Sequence, residues 1–430
     1  MRSLIWFRND LRVTDNATLN AAVEASTEVI PVFVMDPRQW SEDRWGQVKT
    51  GPFRTQFLLE SLADLKSDVE DMGGALVIRQ GEPAEVLKAL ADQWDAHAVF
   101  ATAEHTREEL DRETEVGEML DLRLQEQLTM YHPDDLPFEL AQLPDVFTRF
   151  RGKMEKRSEV RDPLKEPESM AVPEGLLSDE VPTLKELGVN APVKDARGVL
   201  PFKGGAVAAW ERMDHYFWET KKLRVYKKTR NGLLGADYSS KFSPWLALGC
   251  ISPREIHAQI RAFEAEVEKN EDTYWLIFEL IWRDYFRYVA MRYGNRIFHK
   301  RGIKDESPKW RTDRRTFESW CEGRTQCDFV NANMRELAAT GFMSNRGRQN
   351  VASYLVHDMG VDWRLGASWF EHMLLDHDPA SNYGNWIYVA GVGNDPRPNR
   401  KFNTSGQAER YDADGKYRRH WSHATLELDL

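Results

Sequence analysis

At 430 residues the chain is longer than one hydrophobic core usually grows, so at least two domains are expected. A formal net charge of −11 argues against a general nucleic-acid binder, and no apolar run reaches the roughly 20 residues that span a bilayer. Three cysteines, Cys250, Cys321 and Cys327, are too few and too irregular for a disulfide frame or a four-cysteine metal site. With an N-terminus (MRSLIWFRNDLR) unlike a secretory signal, this points to a cytoplasmic protein without a bound metal.

The first 130 residues alternate short apolar runs with amphipathic stretches. SLIWF (3–7), VIPVFVM (29–35), ALVIR (75–79) and AVFAT (98–102) are rich in β-branched and aromatic residues, as buried parallel strands are. Residues 52–71, 83–93 and 106–126 between and after them show helical spacing. Strand–helix alternation predicts a doubly wound, Rossmann-like α/β domain over 1–130. No GxGxxG or Walker-type loop follows any strand, so the usual phosphate-binding loops are not signalled.

Residues 131–200 are rich in Pro and in acidic or small residues, which predicts a loop-rich connector. From Phe202 the pattern turns helical, giving a predicted all-α domain over 201–425. Its clearest helix starts near Asp272-Thr273 and ends at Gly294; others run from about Phe329 to Gly341 and from about Ser344 to Gly360. Charge is unevenly spread: residues 104–126 hold nine acids against three Arg, a net of −6. Residues 281–350 hold fifteen Lys or Arg against eight acids, a net of +7. That basic region suits either a face meeting phosphates or a solvated helical surface.

Three stretches of the helical region carry chemistry. In GADYSSKFSP (235–244), hydroxyls and a Lys precede a helix start near Pro244, where backbone amides can hold a diphosphate or a Ser can simply cap the helix. In TYWLIFELIWRDYFRYVAMRYG, Glu279, Trp282, Arg283 and Phe286 share one stripe, and an i,i+4 pair of Glu279 with Arg283 is the default expectation. The opposite stripe is apolar too, so the helix is expected to be buried nearly all round, with the charged stripe on a cavity wall. Between Phe342 and Phe402, Asn345, Arg348, Asp376, Asp378 and Asn382 interrupt the apolar pattern repeatedly. Buried polar groups need partners, and a cavity holding a large polar ligand would supply them. Asp376 and Asp378, two apart, cannot share a helix face and are expected at an irregular turn.

These motifs, in this order, resemble the photolyase/cryptochrome family. TRNGLLGADYS, YGNWIYVAGVGNDPR and FTRFRGKME resemble its DASH branch, and the likeness runs from Ser3 to about Tyr411. The resemblance implies FAD held noncovalently by Tyr226, Ser239, Ser240, Lys241, Phe242, Ser243, Asn345, Arg348, Asp376, Asp378 and Asn382, with Arg348 paired to Asp376 and Asn382 at the flavin N5. It implies a pocket for damaged DNA formed by Arg230, Glu279, Trp282, Arg283, Asn345, Arg346, Gln349, Tyr388 and Gln407, with Arg346 toward phosphate. Trp386, Trp363 and Trp310 match the family's electron-transfer chain, from flavin to surface. A methenyltetrahydrofolate antenna is implied, with Glu109 as its candidate contact; the same Glu also reads as one more acid on a solvated helix.

Gln349 and Tyr388 stand where photolyases acting on duplex DNA usually carry a Met and a second Trp. Both changes make the pocket more polar and remove a stacking face. Stacking contributes about 1–3 kcal/mol per base, and flipping a nucleotide from a duplex costs a few. The expected function is therefore light-driven splitting of cyclobutane pyrimidine dimers, preferably in single-stranded or looped DNA, with RNA a further possible partner. The alternative is a blue-light regulator that binds nucleic acid or a protein without repair. Oligomeric state is not legible.

Overall fold

The computed structural model describes residues 1–305, 309–397 and 401–422. The N-terminal part is a five-stranded parallel sheet in the order β3-β2-β1-β4-β5. Its strands are β1 (Arg2–Phe7), β2 (Glu28–Met35), β3 (Val77–Gln80), β4 (Ala96–Thr102) and β5 (Leu122–Gln125), interleaved with helices α1 (Ala17–Ala25), α2 (Pro52–Asp71), α3 (Pro83–Trp94) and α4 (Arg107–Gly117). Side chains alternate across the sheet, as the strand period demands. Leu4 and Trp6 join Ile30, Val32, Leu87 and Val99 on one face. Ile5 and Phe7 face the other way, into a core continuous with the helical part.

The helical part comprises α5 (Phe147–Arg157), α6 (Ala206–Asp214), α7 (Tyr226–Thr229), α8 (Ser243–Ala247), α9 (Pro253–Glu266) and α10 (Glu271–Tyr293). It continues through α11 (Arg314–Cys321), α12 (Asp328–Thr340), α13 (Asn345–Ser353), α14 (Trp363–Met373), α15 (Pro379–Val389), α16 (Thr404–Tyr411) and α17 (Lys416–His420). Its longest helix, α10, starts at a capping box in which Asn270 and Thr273 satisfy each other's backbone amides, and stops at Gly294 with φ 51°. Helix α12 ends at Gly341, left-handed with φ 66°. Helix α13 gives way to a wider turn over Tyr354–Asp358 before the predicted end at Gly360.

The α/β plus helical class is as the sequence predicts, with three differences in detail. The stretch 106–126 is not one helix: α4 stops at Gly117, and Leu122–Gln125 pair with β4 as a fifth strand too short to show a period. Helix α1, the crossover between β1 and β2, has a weak apolar stripe and was not predicted. A helix, α5, occurs within the predicted connector because Phe147, Phe150 and Met154 make one buried stripe. The predicted end of the helical region, at 425, lies outside the described residues.

Buried charge joins the two parts. Arg254 makes a two-pronged pair with Asp15 at 2.7 and 3.0 Å, and Asp284 accepts the backbone amides of Met130 and Tyr131, each at 2.9 Å. Gly249, with φ 67°, packs so closely that a Cβ there would lie 2.1 Å from the Asn9 carbonyl oxygen.

Candidate functional site

A cavity of about 550 Å³ opens among the 239–243 loop, α10, α13 and α15. Its floor is polar by construction. Arg212, buried on α6, spends its guanidinium on the loop: Nε donates to the Ser240 carbonyl (3.0 Å), Nη2 to those of Ala236 (3.1 Å) and Ser239 (3.0 Å), and Nη1 to Asp237 Oδ1 (2.8 Å). Sequence reasoning missed this residue, although an Arg inside the apolar run AVAAWERM was a readable sign. Lys241 sits in the left-handed region, φ 58°, and is buried on the cavity wall, its Nζ 3.5 Å from the Tyr238 ring centroid and 4.9 Å from that of Phe342. It makes no ion pair among the described residues. Desolvation lowers its pKa to about 7, nearby Arg212 and Arg348 act the same way, and Glu336 opposes them.

Arg348 on α13 forks onto Asp376, Nη1 to Oδ1 at 3.0 Å and Nη2 to Oδ2 at 2.8 Å, and Ser243 Oγ donates to the same Oδ2 at 2.6 Å. This is the predicted pair. Asp376 lies in the turn between α14 and α15, while Asp378 caps α15, accepting the Ser381 amide at 2.7 Å. Burial works against the Asp378 charge, but Arg287 (2.5 Å) and Arg283 outweigh it and hold the pKa at about 2. Arg287, also unpredicted, is buried and reaches Glu104 of the α/β part at 3.7 Å. Asn382 lines the cavity with its Nδ2 donating to the Ala367 carbonyl (3.0 Å); Tyr226, Ser239, Ser240, Phe242 and Asn345 line it too.

At the mouth, Glu279 pairs with Arg230 at 2.6 Å, not with Arg283. The helical spacing allowed the latter pair, but Arg283 turns its Nη groups to the Leu128 and Leu246 carbonyls. The 3.6-residue period places residues on one stripe but does not choose their partners. Burial raises the Glu279 pKa while Arg230 opposes it. Trp282 stacks on Phe147 (3.7 Å, 9°) and meets Tyr388 edge-on at 5.7 Å. Arg230, Arg346, Gln349 and Tyr388 border the same space, with Arg346 Nη1 on Gln349 Oε1 at 2.8 Å and Nη2 on Asn231 Oδ1 at 2.9 Å. Gln407, on α16, does not line this cavity.

Trp386 on α15 borders the cavity and is buried. It fits because position 366 is Gly: a Cβ there would stand 2.2 Å from the indole Cη2. Its ring neighbours are Phe370 (5.1 Å) and Trp320 (6.3 Å), and Trp320 was not predicted. Trp363 is buried on the adjoining α14, and an isolated parallel bridge, Arg311 with Val361, sets Trp310 beside the start of that helix. Trp310 is half-buried.

A second cavity, of about 480 Å³, lies between the sheet and the helical part, bordered by Arg8 and Asn9 past β1, Asp36 past β2, Glu109, Glu371 and Tyr383. It lies beyond the carboxyl ends of β1 and β2, where open α/β sheets hold ligands. Glu109 is therefore not simply solvated: burial and Glu104 raise its pKa, and it accepts from Thr106 Oγ1. Among the described residues, no helix is long and apolar enough to cross a membrane.

The donor set of the first cavity suits FAD. Lys241 and the serine hydroxyls are the kind of groups that can hold an anion, the Arg348–Asp376 fork and the Asn382 amide the kind that can hold a heteroaromatic edge, and the volume is in the range of cofactor sites. A parallel α/β layer joined to a helical part with such a cavity defines a cofactor-binding protein of α/β-plus-helical class. The family model for the FAD binding domain of DNA photolyase matches residues 275–428, and that for DNA photolyase matches 3–168. A cryptochrome DASH of Natronomonas pharaonis is 50% identical over 424 residues, 97% of this chain and 89% of the relative. The crystal structure of a Synechocystis cryptochrome superposes with a TM-score of 0.95 at 44% identity, over 98% of this chain and 88% of that one. A class III photolyase from Agrobacterium tumefaciens superposes at 0.84 with 29% identity, over 98% and 86%. The chain belongs to the photolyase/cryptochrome family, in its cryptochrome DASH branch.

Proposed function

We propose that this chain is a light-dependent lyase that splits cyclobutane pyrimidine dimers, preferably in single-stranded or looped DNA. The observation that carries the reading is one cavity with two chemistries: a cofactor-type donor set at its floor and a mouth that combines the aromatic Trp282 and Tyr388 with Gln349 and the Glu279–Arg230 pair. The chemistry FAD supplies when bound is donation of an electron from its excited reduced form and recovery of that electron, with no net redox change.

The chain's residues position and exclude. Arg212 fixes the loop, Lys241 and the serines meet the diphosphate, and Arg348 with Asp376 orients the flavin edge. Trp282 offers its indole to one base of the lesion, and the Glu279 carboxyl meets a pyrimidine edge. Trp386, Trp363 and Trp310 step from the cavity toward the surface, a route by which the resting cofactor is reduced. Methenyltetrahydrofolate is the antenna proposed for the second cavity, with Glu109 as its contact.

Purified protein should be yellow and, with its flavin reduced, should remove dimers under near-UV or blue light from single strands and loops faster than from duplexes. Equal rates on all three would refute the strand preference. No dimer loss from a reduced, illuminated protein would refute the lyase and favour the regulator, which needs the same cofactor and tryptophans.

A further inference from the structure

Beside the proposed lesion pocket, aromatic side chains continue along α10 toward the surface. Along α10, Trp275 stacks on Phe278 with centroids 4.5 Å apart; Phe278 meets Phe147 edge-on at 5.2 Å, and Phe147 stacks on Trp282 at the cavity mouth. An unbroken aromatic row thus leads from the half-exposed Trp275 to the pocket. Basic chain flanks it on both sides. Residues 221–230 carry six Lys or Arg and no acid, and α5 carries five against a single Glu155. Both segments pack on α10 and lay cations over the row, Lys227 Nζ 4.2 Å from the Trp275 centroid and Arg151 Cζ 5.2 Å from that of Phe278.

The carboxylates of Asp272 and Glu279 hold Lys228 (3.8 Å) and Arg230 (2.6 Å), and the other acids lie at the rim. Lys227 pairs with Glu271, Arg151 with Glu155 at 3.4 Å, and Arg224 with Glu268 at 2.5 Å. Exposed pairs of this kind contribute little and exchange readily for phosphate. Lys221, Lys222, Arg149, Lys156 and Arg157 are exposed and make no ion pair among the described residues. A basic margin with an aromatic floor is how sequence-tolerant proteins hold single strands: every base has a face to stack, whereas a duplex hides those faces. The net charge of −11 makes this concentration of cations the more specific.

We infer that the partly exposed rings of this row, Trp275 and Phe278, carry a track for single-stranded DNA, on which nucleotides flanking the lesion stack above the buried Phe147 while residues of 221–230 and α5 meet their phosphates. This rests on the lyase reading and adds a subsite to it. Lys227, half-exposed over the Trp275 indole, swings from Glu271 to phosphate as a base takes its place.

The test compares two probes by equilibrium binding to the flavin-loaded chain: an oligothymidylate carrying one cyclobutane dimer, and the isolated dimer dinucleotide, which fills the pocket alone. Trp275→Ala should weaken the oligonucleotide roughly 5- to 150-fold, the range that about 1–3 kcal/mol of stacking gives. It should leave the dinucleotide and the flavin spectrum unchanged, and Trp275→Phe should restore most of the affinity. Lys221→Ala with Lys222→Ala should lower the slope of log affinity against log salt by about 1.4. Parent-like oligonucleotide affinity in Trp275→Ala, or an equal loss on both probes, would overturn the track and leave the lyase reading standing. Tighter binding of a matching RNA through Trp275 would overturn its assignment to DNA. A parent chain that binds neither probe would instead refute the lyase reading itself.

Discussion

Arg212 offers the sharpest test of how the site is built, because one buried guanidinium holds the loop expected to meet the cofactor diphosphate. Replacing it with Met removes three charge-assisted bonds to carbonyls and one to Asp237. Such bonds contribute about 1.5–3 kcal/mol each when taken singly, but their sum overstates the loss. Asp237 keeps His215 at 3.1 Å and is a quarter exposed, and water can enter the space vacated. The cost of breaking a buried pair, about 3–5 kcal/mol, is the better guide. If the loosened loop must be reordered on binding, FAD affinity should fall roughly 150- to 5,000-fold. Arg212→Lys should fall between, since an ammonium cannot reproduce the planar fork. Titration of the cofactor-stripped chain with FAD, followed by flavin fluorescence, measures this directly, with circular dichroism reporting the overall fold. Parent-like affinity in Arg212→Met would show that the loop is held without it.

Lys241 gives a pH dependence. Its pKa in the cofactor-free chain is lowered to about 7 by burial; a bound diphosphate favours the charged form and raises it again. Binding should therefore take up a proton above pH 7, and FAD affinity should weaken as pH rises from there. Lys241→Met should flatten that dependence; a flat parent profile would place the ammonium away from the diphosphate. Gly366→Ala should drive a methyl into the Trp386 indole, costing about 1–3 kcal/mol of stability. Photoreduction of bound flavin should slow while chemical reduction remains normal, and unchanged photoreduction would remove Trp386 from the route. Asp376→Ala, which strips Arg348 and Ser243 of their shared acceptor, should lower flavin occupancy at least tenfold, read from the visible spectrum of the purified chain.

Local pattern carried a good deal of this protein. The strand-forming runs, the glycine end of α10, and the polar residues of the 342–402 stretch are properties of neighbours along the chain, whereas the cap of α10 is Asn270, two residues before the expected Asp272. Period, cap and turn chemistry act over a few residues, so they are readable there. The fifth strand was not readable, because four residues show no period and Leu122–Gln125 becomes a strand only by pairing with β4.

Partner choice belongs to the tertiary structure. Helical spacing brought Glu279 and Arg283 onto one stripe, yet Arg230, 49 positions away in the chain, takes the carboxylate, and Arg283 goes to carbonyls of two other segments. Arg212 stood out in its apolar run, but what it and Arg287 hold is fixed only where the loop and the Asp378 turn fold against them. The aromatic row on α10 likewise acquires its basic margins from two segments remote in sequence. An ion pair or a stacked ring depends on distance in space, and sequence separation fixes that distance only within one helix or one turn. What the chain determined alone was its elements and which residues were out of place in an ordinary core. The packing of α10 against the 226–246 segment and the turn at 374–378 decided how those residues share one cavity.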